Sequence, residues 1–411
     1  MSRTHPIHVR FRWAVCAALL QLAICAASPV HAGPAAIATD SRLGGDEKRT
    51  RFIMDMNRDI PFRVFALADP HRIIVDMPEV DFQLLPTAGQ NGRGLVSAYR
   101  YGLLAVGKSR IVLDVAAPVL IDKAFVLPAQ DGQPARLVID LVSTDRATFL
   151  DHIAHQAKPV APRQKEASLR LSMPGDPDDD PARVVVIDPG HGGIDTGAIS
   201  PDGSLEKNIV LAFSEALKEK LEEAGGYKVL LTRDGDTFLS LDDRVEFGRR
   251  NRADLFISIH ADKFHEPSVR GATIYTLSED ASDAEAAALA AKENKADVIA
   301  GIDLAAEPVE VTDILIDLAR RETKNFSVSL ARGMVGALQD SIQLNKNPHR
   351  SAGFRVLTAP DVPSILLELG YVSNESDVRD LVSTEWRENA AQAMVKAVGR
   401  YFESRNANKQ N

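Results

Sequence analysis

The sequence of 411 residues predicts an α/β domain with a mostly parallel sheet flanked by helices, preceded by an all-β domain. Three observations carry that expectation. Residues 50–142 alternate short apolar runs with turn pairs such as Asp69-Pro70, Asn91-Gly92 and Asp131-Gly132, the pattern of a strand-and-turn domain. From Arg183 onward, apolar runs of strand length alternate with helical patterns, an order that implies parallel strands with helices on both faces. The chain also exceeds the roughly 100–200 residues that one core supports.

The elements follow in order. Arg3, Arg10 and Arg12 precede an uncharged run from Trp13 to Ala27, and Val30-His31-Ala32 supplies small residues at the spacing of a cleavage site. Residues 1–32 therefore read as a secretory signal peptide rather than a stable membrane anchor, which needs about 20 apolar residues. Cys16 and Cys25 both lie inside it, so the mature chain would hold no disulfide. The net charge of −9 argues against a nucleic-acid partner, because phosphate binding needs a basic surface.

Within the β region the expected strands are Arg51–Met56, Phe62–Phe65, Arg72–Met77, Leu95–Arg100, Arg110–Val115, Phe125–Leu127 and Arg136–Leu141. A phrase recurs in three of them: Arg72-Ile73-Ile74-Val75-Asp76, Arg110-Ile111-Val112-Leu113-Asp114 and Arg136-Leu137-Val138-Ile139-Asp140. It suggests related strand pairs buried on both faces, with the charges marking strand ends. Residues 143–182 lose periodicity, gather prolines and aspartates, and read as a flexible linker in which Asp151, His152 and His155 are solvated.

The third segment, residues 183–405, is expected to run Val184–Asp188, a helix over Lys207–Ala224, Lys228–Thr232, a helix over Asp242–Asn251, Leu255–His260 and Ala272–Leu277. Then come a long helical stretch, strands Phe354–Leu357 and Ser364–Leu369, and a closing helix from Glu385 to Phe402. Sites in such sheets lie at the carboxyl ends of the strands. There stand His191, in Asp188-Pro189-Gly190-His191-Gly192-Gly193, and His260, in His260-Ala261-Asp262. Glu206 opens a helix for which Ser204 is the expected N-cap. Two imidazoles and a carboxylate make a three-ligand zinc site whose fourth position admits water. Glu368 is the only carboxylate in the apolar run Ser364–Leu369. Burying it alone is costly, so it reads either as the proton carrier beside the metal or as the partner of Arg233 or Arg244. The loop lacks the Lys-Ser/Thr pair of a nucleotide cradle; its glycines suit a tight turn that aims His191 inward and lets substrate approach the backbone.

The motifs Val186–Gly193, Glu206-Lys207, Leu231-Thr232-Arg233, Ser258–Asp262 and Glu368-Leu369-Gly370-Tyr371-Val372-Ser373-Asn374 together resemble the zinc-dependent N-acetylmuramoyl-L-alanine amidases of Gram-negative bacteria. The β region more loosely resembles the AMIN domain that targets such enzymes to peptidoglycan. The resemblance implies His191, Glu206 and His260 as zinc ligands, Glu368 as the catalytic glutamate, and hydrolysis of the amide between N-acetylmuramic acid and L-alanine during septal splitting. It implies a periplasmic location and, because such amidases carry an inhibitory helix across the zinc, a coiled-coil activator from the division machinery. About 50 residues separate strand Ala272–Leu277 from the helix near Ser327–Leu338, longer than an ordinary connection. This insertion, about 278–324, contains an alanine-rich segment and the stripe Val311, Ile314, Leu315 and Leu318. Glu279 is the expected blocking carboxylate, with Glu285 and Glu293 as rivals. A zinc carboxypeptidase or endopeptidase, and a non-catalytic wall-binding scaffold, are the other readings.

Overall fold

A computed structural model describes residues 35–85, 87–130, 132–156, 182–300 and 314–409. The expected signal peptide, residues 157–181 of the linker, and Val311 lie outside the described residues, and the side chains of Ile314, Leu315 and Leu318 are likewise not described. No helix among the described residues is long and apolar enough to cross a membrane.

The first domain is a pair of sheets built from nine strands. They are β1 (Ala36–Gly45), β2 (Arg49–Met56), β3 (Arg63–Leu67), β4 (Arg72–Pro78), β5 (Val80–Phe82), β6 (Val96–Ala105), β7 (Lys108–Val115), β8 (Val119–Leu127) and β9 (Ala135–Ser143). One sheet has the order β5-β1-β2-β9-β8 and the other β3-β4-β7-β6. Phe52, Met54, Ile73, Ile111, Leu113, Leu137 and Ile139 fill the core between them. The domain begins at β1, fourteen residues before the expected start at Thr50. Ala36–Gly45 has little strand propensity of its own, and pairing with β2 and β5 overrides it.

The recurring Arg-to-Asp phrase does more than mark strand ends. In the antiparallel β4–β7 pair, Arg72 stands opposite Asp114 and Asp76 opposite Arg110, so two copies of one phrase set opposite charges face to face at both ends. A fourth copy, Arg51-Phe52-Ile53-Met54-Asp55, escaped the sequence reading; it pairs in the same way with Arg136–Asp140 on β9. Each sheet thus holds one such pair.

The expected structureless linker is corrected at its start. Arg146–Gln156 forms a helix, α1, because Phe149 is completely buried against the β core. His155 stays solvated on it, its Nδ1 2.8 Å from the Asp151 carbonyl.

The second domain contains β10 (Arg183–Pro189), α2 (Glu206–Ala224), β11 (Tyr227–Leu231), α3 (Leu241–Arg250), β12 (Leu255–His260) and β13 (Ala272–Leu277). These are followed by α4 (Ala284–Glu293), α5 (Ala296–Ile299), α6 (Ile314–Leu338), β14 (Leu344–Ala352), β15 (Ser364–Glu368), α7 (Glu375–Val382) and α8 (Thr384–Lys409). Its sheet has the order β11-β10-β12-β15-β13-β14, parallel except at the β13–β15 pair. Side chains alternate across it. Val185, Ile187, Leu255, Ile257, Ile259, Ile365 and Leu367 face the cluster formed with α2, α6 and α8. Val186, Phe256 and Leu366 face the opposite cluster with α4. The same parity puts Asp188, His260 and Glu368 on the α4 side. Phe354–Leu357, expected as a strand, ends in a short 3-10 helix over Arg355–Leu357, and the polar Leu344–Ala352 supplies the edge strand instead.

Candidate metal centre

Strand β10 delivers Asp188 to a completely buried position, where it accepts from Thr232 Oγ1 at 2.6 Å, Arg244 Nη1 at 2.7 Å and Ser258 Oγ at 2.8 Å. Burial alone would raise its pKa; the Arg244 charge and these hydrogen bonds reverse that and hold it below the usual carboxylate value. Asp188 therefore anchors the loop that follows. His191 takes φ 59, a left-handed backbone costly for a non-glycine residue. Its carbonyl accepts from Arg244 Nη2 at 2.7 Å. The glycines before and after it are required by close neighbours other than substrate. A Cβ on Gly190 would lie 2.5 Å from the His260 ring, and one on Gly193, itself at φ 57, would lie 1.9 Å from the Leu103 carbonyl of the β domain.

Two carboxylates face the same pair of ring nitrogens, and His191, His260 and Glu293 each offer a ligand atom within 4.8 Å of the others. Glu206 Oε1 lies 3.1 Å from His191 Nε2 and 3.3 Å from His260 Nδ1. Glu293 Oε2 lies 3.7 and 3.4 Å from the same two nitrogens. Both nitrogens are buried and make no hydrogen bond of acceptable geometry. His191 Nδ1 donates to Asp195 Oδ2 at 2.9 Å, which leaves the Nε2 lone pair facing the centre. Glu206, completely buried, is fixed by backbone donors, Ala261 N to Oε1 at 2.9 Å and Ala198 N to Oε2 at 2.8 Å. A tetrahedral shell with metal–ligand bonds of about 2.0–2.1 Å has edges of about 3.3 Å. The orphaned nitrogens, and the distance of each carboxylate from them, fit the edges of such a shell. Burial would lower the His191 pKa, but Glu206, Asp195 and Glu293 together push it well above the usual imidazole value. The cluster thus carries excess negative charge that a cation would balance.

Glu368 lies beside this cluster because β15 runs parallel to β12 with Glu368 in register with His260. It is completely buried; Oε2 accepts from Asp262 N at 2.9 Å, and Oε1 has no hydrogen-bond partner. Burial first, then the charges of Asp262 and Glu206, raises its pKa well above the usual carboxylate value. Neither Arg233 nor Arg244 pairs with it. Arg233 donates to the carbonyls of Pro189, Gly190 and Lys207, and Arg244 belongs to Asp188.

Residues 185–400 match the family model described as N-acetylmuramoyl-L-alanine amidase, and residues 40–141 match the AMIN domain model. The chain is 32% identical over 375 residues to the N-acetylmuramoyl-L-alanine amidase AmiC of Neisseria meningitidis serogroup B, covering 89% of each chain. It is 30% identical to AmiC of Escherichia coli O6:H1, covering 86% of each. With AmiA of Escherichia coli K12 it shares 40% identity over 221 residues, 54% of this chain and 76% of that one. The chain belongs to the N-acetylmuramoyl-L-alanine amidase family.

In this amidase His191, Glu206, His260 and Glu368, separated by up to 177 positions in sequence, lie together at the carboxyl ends of the strands. Two expectations are corrected. Glu279 is exposed, on the turn after β13 and ahead of α4, while Glu293 at the end of α4 reaches the histidines. Glu285, at the other end of that helix, pairs with Arg350. Ser204 is not the cap of α2: Leu205 holds that position without a side-chain hydrogen bond. The sequence reading missed Asp195, four residues after His191, and the ion pair of Lys292 with the buried Asp262. Burial and Glu206, opposed by Lys292, push the Asp262 carboxyl up to about 6.

Proposed function

We propose that this chain is a zinc-dependent peptidoglycan amidase, exported to the periplasm and acting in septal cell-wall splitting, whose resting form is blocked by Glu293. The observation that carries the reading is the convergence of His191, Glu206 and His260 at metal-ligand spacing beside a buried glutamate with an unpartnered oxygen. His191 Nε2, His260 Nδ1 and Glu206 Oε1 would hold the ion. When bound, zinc would supply positive charge that polarises the scissile carbonyl and makes water nucleophilic at neutral pH. Glu368 Oε1 would take the proton of the attacking water as its oxygen adds to the carbonyl carbon, and would return it to the amide nitrogen as the carbon–nitrogen bond to L-alanine breaks. The Asp262 amide holds the other carboxylate oxygen in place, and Asp195 fixes the His191 ring.

Glu293 comes from the insertion, and it supplies a fourth donor where a catalytic zinc site keeps an opening. Displacing α4 would clear the substrate path, which is the work assigned here to a coiled-coil activator. The test is purified full-length protein on isolated sacculi, with and without chelator, with fragments identified by mass. The reading requires chelator-sensitive release of peptides bearing a free L-alanine amino terminus and of glycans without stems. Release of terminal residues or cut cross-links alone would assign a peptidase.

A further inference from the structure

The Arg-to-Asp phrase of the β domain occurs in two strand pairs with different surroundings. On β2–β9, Arg51 pairs with Asp140 at 2.6 Å while half of its side chain stays in solvent. On β4–β7, Arg72 and Arg110 are buried, and part of what covers them belongs to the insertion. Arg110 places Nε and Nη2 on Asp76 at 2.6 and 2.9 Å and donates Nη1 to the Ala300 carbonyl at 3.0 Å. Arg72 donates to the Val298 carbonyl. Ala300 is completely buried against Ile74 and Val112 of the same two strands, with Ile194 and Phe238 of the second domain. Among the described residues, the Val298 and Ala300 carbonyls accept from these two guanidinium groups, and a buried guanidinium needs its donors satisfied. Each side answers the other.

We infer that the β4–β7 face of the β domain is a docking surface for the insertion and clamps α5, so that the wall-targeting domain helps keep Glu293 in the metal centre. The inference rests on the reading of Glu293 as the block. Only two residues, Asn294 and Lys295, separate α4 from α5, too few to let α4 leave while α5 stays. The anchors are divided. The second domain holds Asn294 through Gly353 and Arg355 and holds Asp297 through the Leu241 amide; the β domain adds Arg72, Arg110 and the seat for Ala300. Opening the centre therefore loosens a contact between domains, and an event that draws the β4–β7 face away from α5 favours the open form.

The experiment measures turnover on sacculi for the full-length chain, together with amide exchange across residues 284–300. The variants are Arg72→Leu/Arg110→Leu, Ala300→Phe, Arg51→Leu and Glu293→Gln. Losing charge-assisted hydrogen bonds should shift the closed–open balance about tenfold. The clamp predicts that rise in turnover, with faster exchange at 284–300, for the double variant and for Ala300→Phe, which overfills the seat without altering the β domain. Arg51→Leu should leave both readouts unchanged. If the double variant fails to fold, Ala300→Phe decides alone. Acceleration by Glu293→Gln but not by the clamp variants would reject the clamp and keep the block. An equal rise in Arg51→Leu would also reject the clamp, as general loosening. No acceleration by Glu293→Gln would reject the block and the clamp with it.

Discussion

The two regions that supply the candidate metal centre are held by different forces. His191, Glu206 and His260 come from the sheet domain, fixed by Asp195, by two backbone amides and by the middle of the sheet. Glu293 comes from α4, whose fully buried apolar side chains are Ala286 and Ala290, with Leu289 partly buried beside them. An alanine methyl buries little area at about 25 cal/mol per Å². Ion pairs do much of the holding: Lys292 with Asp262, and Arg350 with Asp283 and Glu285. On the proposed function, three donors stay and one leaves. A centre of this kind can remain assembled while its access is regulated separately.

Substitutions can break or sharpen that contrast. The largest effect is expected for Glu368→Gln, which keeps the shape of the side chain but removes the proposed proton carrier. Turnover should fall by about 10²–10⁴ while metal content is unchanged. Parent-like rates would make Glu368 structural. Next, Asp195→Asn should weaken metal affinity by about 10–100-fold, because the amide no longer fixes the tautomer that points Nε2 inward. Competition with a chelator of known affinity measures it, and unchanged affinity would show that the ring is held by packing alone. The smallest change is expected for Lys292→Ala, which removes a half-exposed ion pair from the insertion. Turnover should rise by about two- to fivefold with metal affinity unchanged, whereas a fall would place Lys292 among the groups needed for catalysis.

The same contrast explains what the sequence made legible. His260 and Glu368 were readable because each is a polar residue ending an apolar strand, and His191 because it stands in the glycine-rich loop just past another; strand order in an α/β sheet brings such ends together. Glu206 was readable as a carboxylate opening a helix beside a glycine-rich turn. Glu293 was one of three candidates within the insertion, and local pattern could not choose among them. The choice is made by docking: Arg350 takes Glu285, Asn294 is tied to Gly353 and Arg355, and the last turn of α4 then points at the histidines. Helix α1 and strands β1 and β14 were missed for a related reason. Each is polar or weakly patterned and is held by contacts distant in sequence, Phe149 in the β core, β1 between β2 and β5, and β14 along β13.

The central claim, a metal held by three fixed donors and closed by a removable fourth, is tested most directly by Glu293→Ala in the full-length chain, with bound zinc and turnover on sacculi measured on one preparation. The account predicts zinc retained at the parent's stoichiometry and turnover raised. Zinc lost together with activity would contradict it, because Glu293 would then be a structural ligand rather than a block.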